Sequence, residues 1–195
     1  MSSDDNVLER PSAQQLEEEL IRAKRRHEIK KSIFGTVGLL IVIAAAVTLV
    51  LTLWLPIYQV QRGSMAPTLR DGEVIVFVTT GEIRRGDIIA FYQGSQVLIK
   101  RVIAIAGDWI DIEEDGTVML NYAPLDEPYA TIRSGDDHTI ELPRQVTDNQ
   151  YFVLGDHRQT SLDSRSTEIG MVRSDQVIGK AIFRIWPLGK IGAPN

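Results

Sequence analysis

Four short segments hold side chains whose types and spacing could do chemistry. Arg62-Gly63-Ser64-Met65-Ala66-Pro67-Thr68-Leu69 sets a serine between a glycine and a nearby proline, where a constrained backbone would present its hydroxyl. A purely structural serine in a Gly-Ser turn has the same signature. Val97-Leu98-Ile99-Lys100-Arg101-Val102-Ile103 embeds a lysine in an apolar run. If side chains alternate across a strand there, Lys100 shares a face with Leu98 and Val102, which would strip water from its ammonium. The alternative is a lysine that snorkels to the rim or guards an edge strand. The run from Tyr151 to Arg165 passes from an apolar strand into a polar loop with two Asp and two Arg, able to orient a lysine through charge-assisted hydrogen bonds. Arg84-Arg85-Gly86-Asp87 reads as a turn entering a strand. The first two segments together allow a mechanism. A serine hydroxyl needs a base, and a lysine of ordinary pKa ~10.4 serves only when burial lowers it. Such a dyad requires neither histidine nor metal. With no cysteine and only His27, His138 and His157, the composition offers few other options, and no metal or cofactor is expected.

These residues need a scaffold. A length of 195 residues suits one modest domain plus an appendage. With 21 Lys+Arg against 26 Asp+Glu and no basic block in the main body, nucleic acid is not an expected partner. A 44% apolar and 24% charged composition excludes wholesale disorder. From Ser32 to Gln61 there is no charged residue, and Ile33 to Leu55 is apolar apart from three threonines and two glycines. As a helix that stretch reaches ~34 Å, against a hydrocarbon core of ~30 Å. A buried helix would show a polar face. The apolar core of a cleaved secretory peptide runs to only ~7–15 residues and is not preceded by a long polar segment. The reading is therefore a retained transmembrane helix over 32–56. Residues 22–31 carry six Lys/Arg and one Glu, and no cation follows the span until Arg62. Positive charge stays inside, so residues 1–31 form a cytoplasmic basic segment, helical from the capping box at Ser12, and 57–195 lie outside the cell membrane. Trp54 and Tyr58 suit the outer interface.

The outer part reads as β. Short runs rich in Val, Ile, Phe and Thr (EVIVFVTT, DIIAFY, QVLIKRVIAIA, YFVLGD, QVIGKAIFRIW) are separated by turn signals, and Asp115-Gly116 between alternating runs marks a hairpin. The expected fold is mainly β: an antiparallel folded sheet or barrel, with a small subsidiary lobe over the turn-rich residues 121–150.

In their order, GSMAPTL, RRGDIIAF, IKRVIAIAGD and GDHRQTSLDSR resemble the boxes of bacterial type I signal peptidases, and the single anchor resembles the compact Gram-positive form. Asn121, Glu127-Pro128-Tyr129 and the ending VIGKAIFRIWPLGKIG extend the likeness over about residues 33–192. The resemblance implies a membrane-bound serine endopeptidase that cleaves N-terminal signal peptides from exported preproteins through an acyl-enzyme. It makes Ser64 the nucleophile and Lys100 the general base. Ser161 would hydrogen-bond Lys100, while Asp163, Arg165, Arg101 and Asp156 would hold the architecture behind the dyad. The Ser64 backbone N–H would bind the oxyanion. Shallow pockets near Val60, Met65, Leu98 and Ile99 would admit small residues of an A-x-A-like cleavage pattern. Signal peptides and the lipid bilayer are the implied partners, with proximity to the secretion translocon. Two departures stand out. Arg62 occupies a place where part of the family has a hydroxyl donor, and His157 replaces a usual asparagine, which keeps a Ser–His pairing open as a rival. A catalytically silent tethered relative that acts by binding, and a self-cleaving Ser–Lys regulator, also compete with the peptidase reading. The regulator would need a DNA-binding module, for which residues 1–31 are too short.

Overall fold

The computed structural model describes residues 13–130 and 138–194. The capping box at Ser12 lies outside the described residues, as does the stretch 131–137 of the expected lobe. The chain forms two compact units that divide between Leu49 and Val50.

Helix α1, Ala13–Trp54, accounts for the first unit and the start of the second. Its stretch Ser32–Trp54 is long and apolar enough to cross a membrane, and Leu39, Leu40, Ile41 and Val42 among others are exposed along it. Thr36 and Thr48 turn their hydroxyls back onto the carbonyls of Ser32 and Ala44, at 3.0 and 2.9 Å, so these polar atoms are satisfied within the helix. Pro56 ends it, because the residue before a proline leaves the helical region.

The second unit is built from β1 Ile57–Gln59, β2 Val74–Val78, β3 Ile88–Gln93, β4 Gln96–Ile105, β5 Trp109–Ile112, β6 Val118–Leu120, β7 Ala123–Pro124, β8 Arg144–Gln145, β9 Gln150–Leu154, β10 Val172–Arg173 and β11 Val177–Trp186. Seven of them form an antiparallel sheet in the order β1-β2-β11-β3-β4-β9-β10, and four form a second in the order β7-β6-β5-β8. Neither closes on itself, so of the two expected forms the structure takes the open, folded one. The Asp115-Gly116 hairpin is present, with Gly116 at φ 84° and Ile112 opposite Val118. It places β5 and β6 in the small sheet, whose strands therefore begin before residue 121.

Alternation decides what is buried. In β2, Ile75 and Phe77 point inward and Val74, Val76 and Val78 lie on the other face. Val60, Met65, Leu69, Ile75, Phe77, Ile88 and Ala90 make one cluster. Ile89, Phe91, Val102 and Val153 anchor a second on the opposite side of β3. Ile103, Ile110, Val118 and Phe152 form the third, under the small sheet. Residues 100–104 of β4 are all buried, which is what a strand covered on both faces requires.

Candidate active site

Ser64 sits in a loop closed at its neck. The Val60 N–H donates to the Glu73 carbonyl at 2.8 Å, and the Gly72 N–H to the Val60 carbonyl at 2.9 Å. The Arg62 N–H donates to Asp71 Oδ1 at 3.0 Å. Arg62 and Gly63 take left-handed φ values of 68° and 59°, which fold the chain back sharply just before the serine. Beyond it, Met65 and Leu69 are buried and pin the loop to the core. The Ser64 carbonyl accepts the His157 N–H at 3.1 Å, tying the loop to the polar segment after β9.

Lys100 lies in the middle of β4, opposite Ile89 of β3. Its register partner and the alternating neighbours Leu98 and Val102 belong to one apolar cluster. Lys100 is only 3% exposed. Its Nζ lies 2.7 Å from Ser64 Oγ, across 36 residues of sequence. Burial lowers the amine's pKa from 10.5 to about 8; the Arg165 charge pushes the same way, and Asp163 and Asp156 oppose it. Among the described residues no carboxylate forms an ion pair with it. A hydroxyl therefore faces an amine that sheds its proton far more readily than a solvated lysine does.

The segment behind the pair is saturated with hydrogen bonds. Arg101 clasps Asp156 through Nε at 2.9 Å and a terminal nitrogen at 2.7 Å, and also reaches the Gly86 carbonyl and Thr68 Oγ1. Its guanidinium lies 4.1 Å from the centre of the Tyr129 ring. Asp163 accepts from Arg165 at 2.8 and 3.0 Å and from the Gly155 N–H at 3.1 Å. Arg165 continues to the Arg158 carbonyl at 2.6 Å. Both ion pairs are buried and bidentate, the geometry in which a buried charge is best compensated.

Ser161 differs from the expectation drawn for it. Its Oγ is buried and, among the described residues, without a hydrogen-bond partner, so it does not bond Lys100. It is instead crowded against Gly155: a methyl group there would come within 2.2 Å of Ser161 Oγ and 2.6 Å of the Ser64 carbonyl. Of the expected pocket residues, Val60 and Met65 are buried at 3% and 1% exposure and share a cluster with the half-buried Ile99. Leu98 packs with the second cluster, because one step along a strand changes face. His157 places Nδ1 2.9 Å from Thr160 Oγ1.

Three residues that lie within the family-like segments had no contact assigned to them from sequence. Gly155, which opens the GDHRQTSLDSR segment, is needed for close approach. Glu127 pairs with the buried Arg158 at 2.5 and 3.0 Å, joining the lobe to the polar loop. Asp108 gathers Arg85, the Ile105 N–H and Asn121; burial pushes its carboxyl up, but these bonds outweigh it and hold the group below the usual carboxylate range. Among the described residues no His, Asp and Glu cluster is arranged to hold a metal ion.

Comparison with known proteins gives a consistent result. A family model described as signal peptidase, peptidase S26, matches residues 33–186. Signal peptidase IB of Staphylococcus aureus is 33% identical over 153 residues, 68% of this chain and 78% of that protein. Signal peptidase I S of Bacillus subtilis is 32% identical over 178 residues, 85% of this chain and 96% of that protein. A crystal structure of a signal peptidase I from Enterococcus faecalis is 30% identical with a TM-score of 0.43, covering 51% of this chain and 97% of that one.

Proposed function

The chain belongs to the signal peptidase family, peptidase S26, and cleaves signal peptides from preproteins; from that premise we propose that it works through a Ser64–Lys100 dyad and an acyl-enzyme. The 2.7 Å separation between a serine hydroxyl and a buried amine is the observation that carries the proposal. The neutral Lys100 amine takes the Ser64 proton as Oγ attacks the scissile carbonyl. Among the described residues the Ser64 N–H has no acceptor, which leaves it for the oxyanion; one such donor is worth ~3 kcal/mol. Collapse of the tetrahedral intermediate passes the proton from Lys100 to the leaving amine and leaves an ester on Ser64. Lys100 then activates the water that hydrolyses this ester and restores the free enzyme. Arg101, Asp156, Asp163 and Arg165 act as positioning residues. Val60, Met65 and Ile99 border the ground on which small substrate side chains would sit, and an extended cleavage segment would add to exposed strand edges.

The same proposal covers the setting: residues 32–56 span the membrane, 1–31 remain cytoplasmic, and 57–195 act on the outer side upon substrates delivered near the secretion translocon. One face of the large sheet supports contact with the bilayer. Register places Ile57, Val76 and Phe183 in one row and Val74 beside Trp186 in the next. Ile57, Phe183 and Trp186 are exposed, with Leu188 and Ile191 following. The Thr79 N–H donates to the Trp54 carbonyl at 3.3 Å, so the helix exit is fastened beside this face.

A preprotein cleavage assay on Ser64→Ala and Lys100→Ala tests the dyad: both should be inactive, and near-normal processing by either refutes it. If His157→Ala abolishes cleavage while Lys100→Ala does not, the base is His157.

A further inference from the structure

A small cavity of about 250 Å³ lies where the far arm of the serine loop meets the end of β11. Arg70, Asp71 and Glu73 line one side, and Trp186, Pro187 and Lys190 the other. Arg70 is exposed and forms no ion pair among the described residues. Lys190 reaches Glu73 Oε1 at 3.4 Å, but Arg184 already holds that carboxylate at 2.9 and 3.0 Å. One acid thus serves two cations. Asp71 has an oxygen committed to the Arg62 N–H. The lining itself is balanced, two cations against two acids, but counting the Arg184 that grips Glu73, three cations meet two acids around the cavity, and the 52% exposed Trp186 stands beside it.

Its position is as telling as its charge. Trp186 belongs to the exposed apolar face, so the two cations stand at the rim of that face, with an indole between apolar and polar surroundings. Charge across the outer part is polarised the same way. Residues 108–148 hold eleven acidic and two basic side chains, whereas 57–107 and 149–195 together hold twelve basic and eight acidic. A negative surface would attract the second group and repel the first.

We propose that Arg70, Lys190 and Trp186 form a headgroup site for an anionic phospholipid. The phosphodiester oxygens accept from the two side-chain cations, the indole lies at the level of the headgroups, and the acyl chains continue over Phe183 and Leu188. The site rests on the bilayer-facing reading above and adds lipid selectivity to it. A free phosphate lacks those apolar contacts and would meet Asp71 unaided.

The test uses the full chain with Trp54→Phe and Trp109→Phe, which leaves Trp186 as the lone tryptophan of three. It is reconstituted in mixed phosphatidylcholine and phosphatidylglycerol vesicles, with shallow bromine labels on one lipid or the other. Quenching of Trp186 by labelled phosphatidylglycerol should exceed that by labelled phosphatidylcholine at least about fivefold at equal mole fraction, given roughly fivefold attraction per interfacial cation. Arg70→Gln and Lys190→Gln should each reduce the preference, and together remove it. Equal quenching by the two lipids, or a preference that survives both substitutions, overturns the headgroup site and leaves the bilayer-facing reading intact. No quenching by either lipid overturns both. Loss of the preference on adding inorganic phosphate at constant ionic strength assigns the site to free phosphate and overturns the lipid proposal. Preprotein cleavage measured in detergent reports on the dyad independently of all three outcomes.

Discussion

Lys100 and Arg101 are adjacent on β4, both hidden from water, and treated in opposite ways. Arg101 is clasped by Asp156, a carbonyl, a hydroxyl and an aromatic face. Lys100 has the Ser64 hydroxyl and, among the described residues, no paired acid. The first environment answers each donor and keeps a permanent charge buried. The second leaves the charged form short of partners and so favours the neutral amine, with the pKa lowered to about 8. Burial therefore has no fixed electrostatic meaning, since the partners supplied on each face of the strand decide whether it secures a charge or loosens a proton.

The contrast can be broken most severely at Lys100. Lys100→Arg keeps a cation but replaces a titratable amine with a guanidinium that does not deprotonate, so kcat/KM for preprotein cleavage should fall by about 10³-fold or more. A variant with more than a tenth of normal activity would contradict proton transfer to this side chain. On the other face, Arg101→Met strands the buried Asp156 carboxylate. Denaturant unfolding should show a loss of about 3–5 kcal/mol, and a near-neutral result would mean that water or another donor replaces the guanidinium.

Lys100→Met sharpens the comparison by reversing its sign. In the unfolded chain the amine titrates near its ordinary value, and in the native state at about 8. At pH 7 it is largely protonated in both states, and the native state bears the cost of a poorly solvated charge. That cost is full below pH 8 and fades as pH rises toward 10.5, where the unfolded amine also becomes neutral. Lys100→Met should hence be more stable than the parent by about 3 kcal/mol at pH 7, with the advantage shrinking by pH 10. Substitution of Arg101 should show no such gain.

The same titration sets the pH–rate profile. Cleavage should rise almost tenfold per unit up to about pH 7 and level off above about 8, as the neutral amine becomes the dominant form. A midpoint well below that value would show that Lys100 is not the group whose proton sets the rate. The smallest effect belongs to Ser161→Ala. Its Oγ makes no hydrogen bond in the structure, so the change in stability should stay below about 1 kcal/mol in a thermal melt. A large fall in kcat with unchanged stability would show that Ser161 bonds Lys100 only during turnover.

Local patterns were readable without coordinates because their causes are local. A charge-free stretch ahead of Pro56 marks a helix of membrane length, the apolar run Val74 to Val78 marks a strand, and Asp115-Gly116 marks a hairpin, each through forces acting within a few residues. The four chemistry-bearing segments were visible for the same reason, as polar residues in places where apolar or turn residues alone would suffice. What they do to one another was not legible from local pattern, and only the family resemblance paired Ser64 with Lys100. Ser64 meets Lys100 across 36 residues, Arg101 meets Asp156 across 55, and Arg158 meets Glu127 across 31.

By itself, then, the sequence determined the mainly β character, the apolar helix and the identity of the reactive side chains, since periodicity, turn chemistry and solvation are written residue by residue. The tertiary structure decided the rest: β11 inserted between β2 and β3, sheets left open and, among the described residues, Ser161 without a partner and one of two neighbouring cations without an acid. Those outcomes depend on which distant groups are brought within a few ångströms once the sheet has folded, and a short-range Coulomb or hydrogen-bond energy has no value until that distance is fixed.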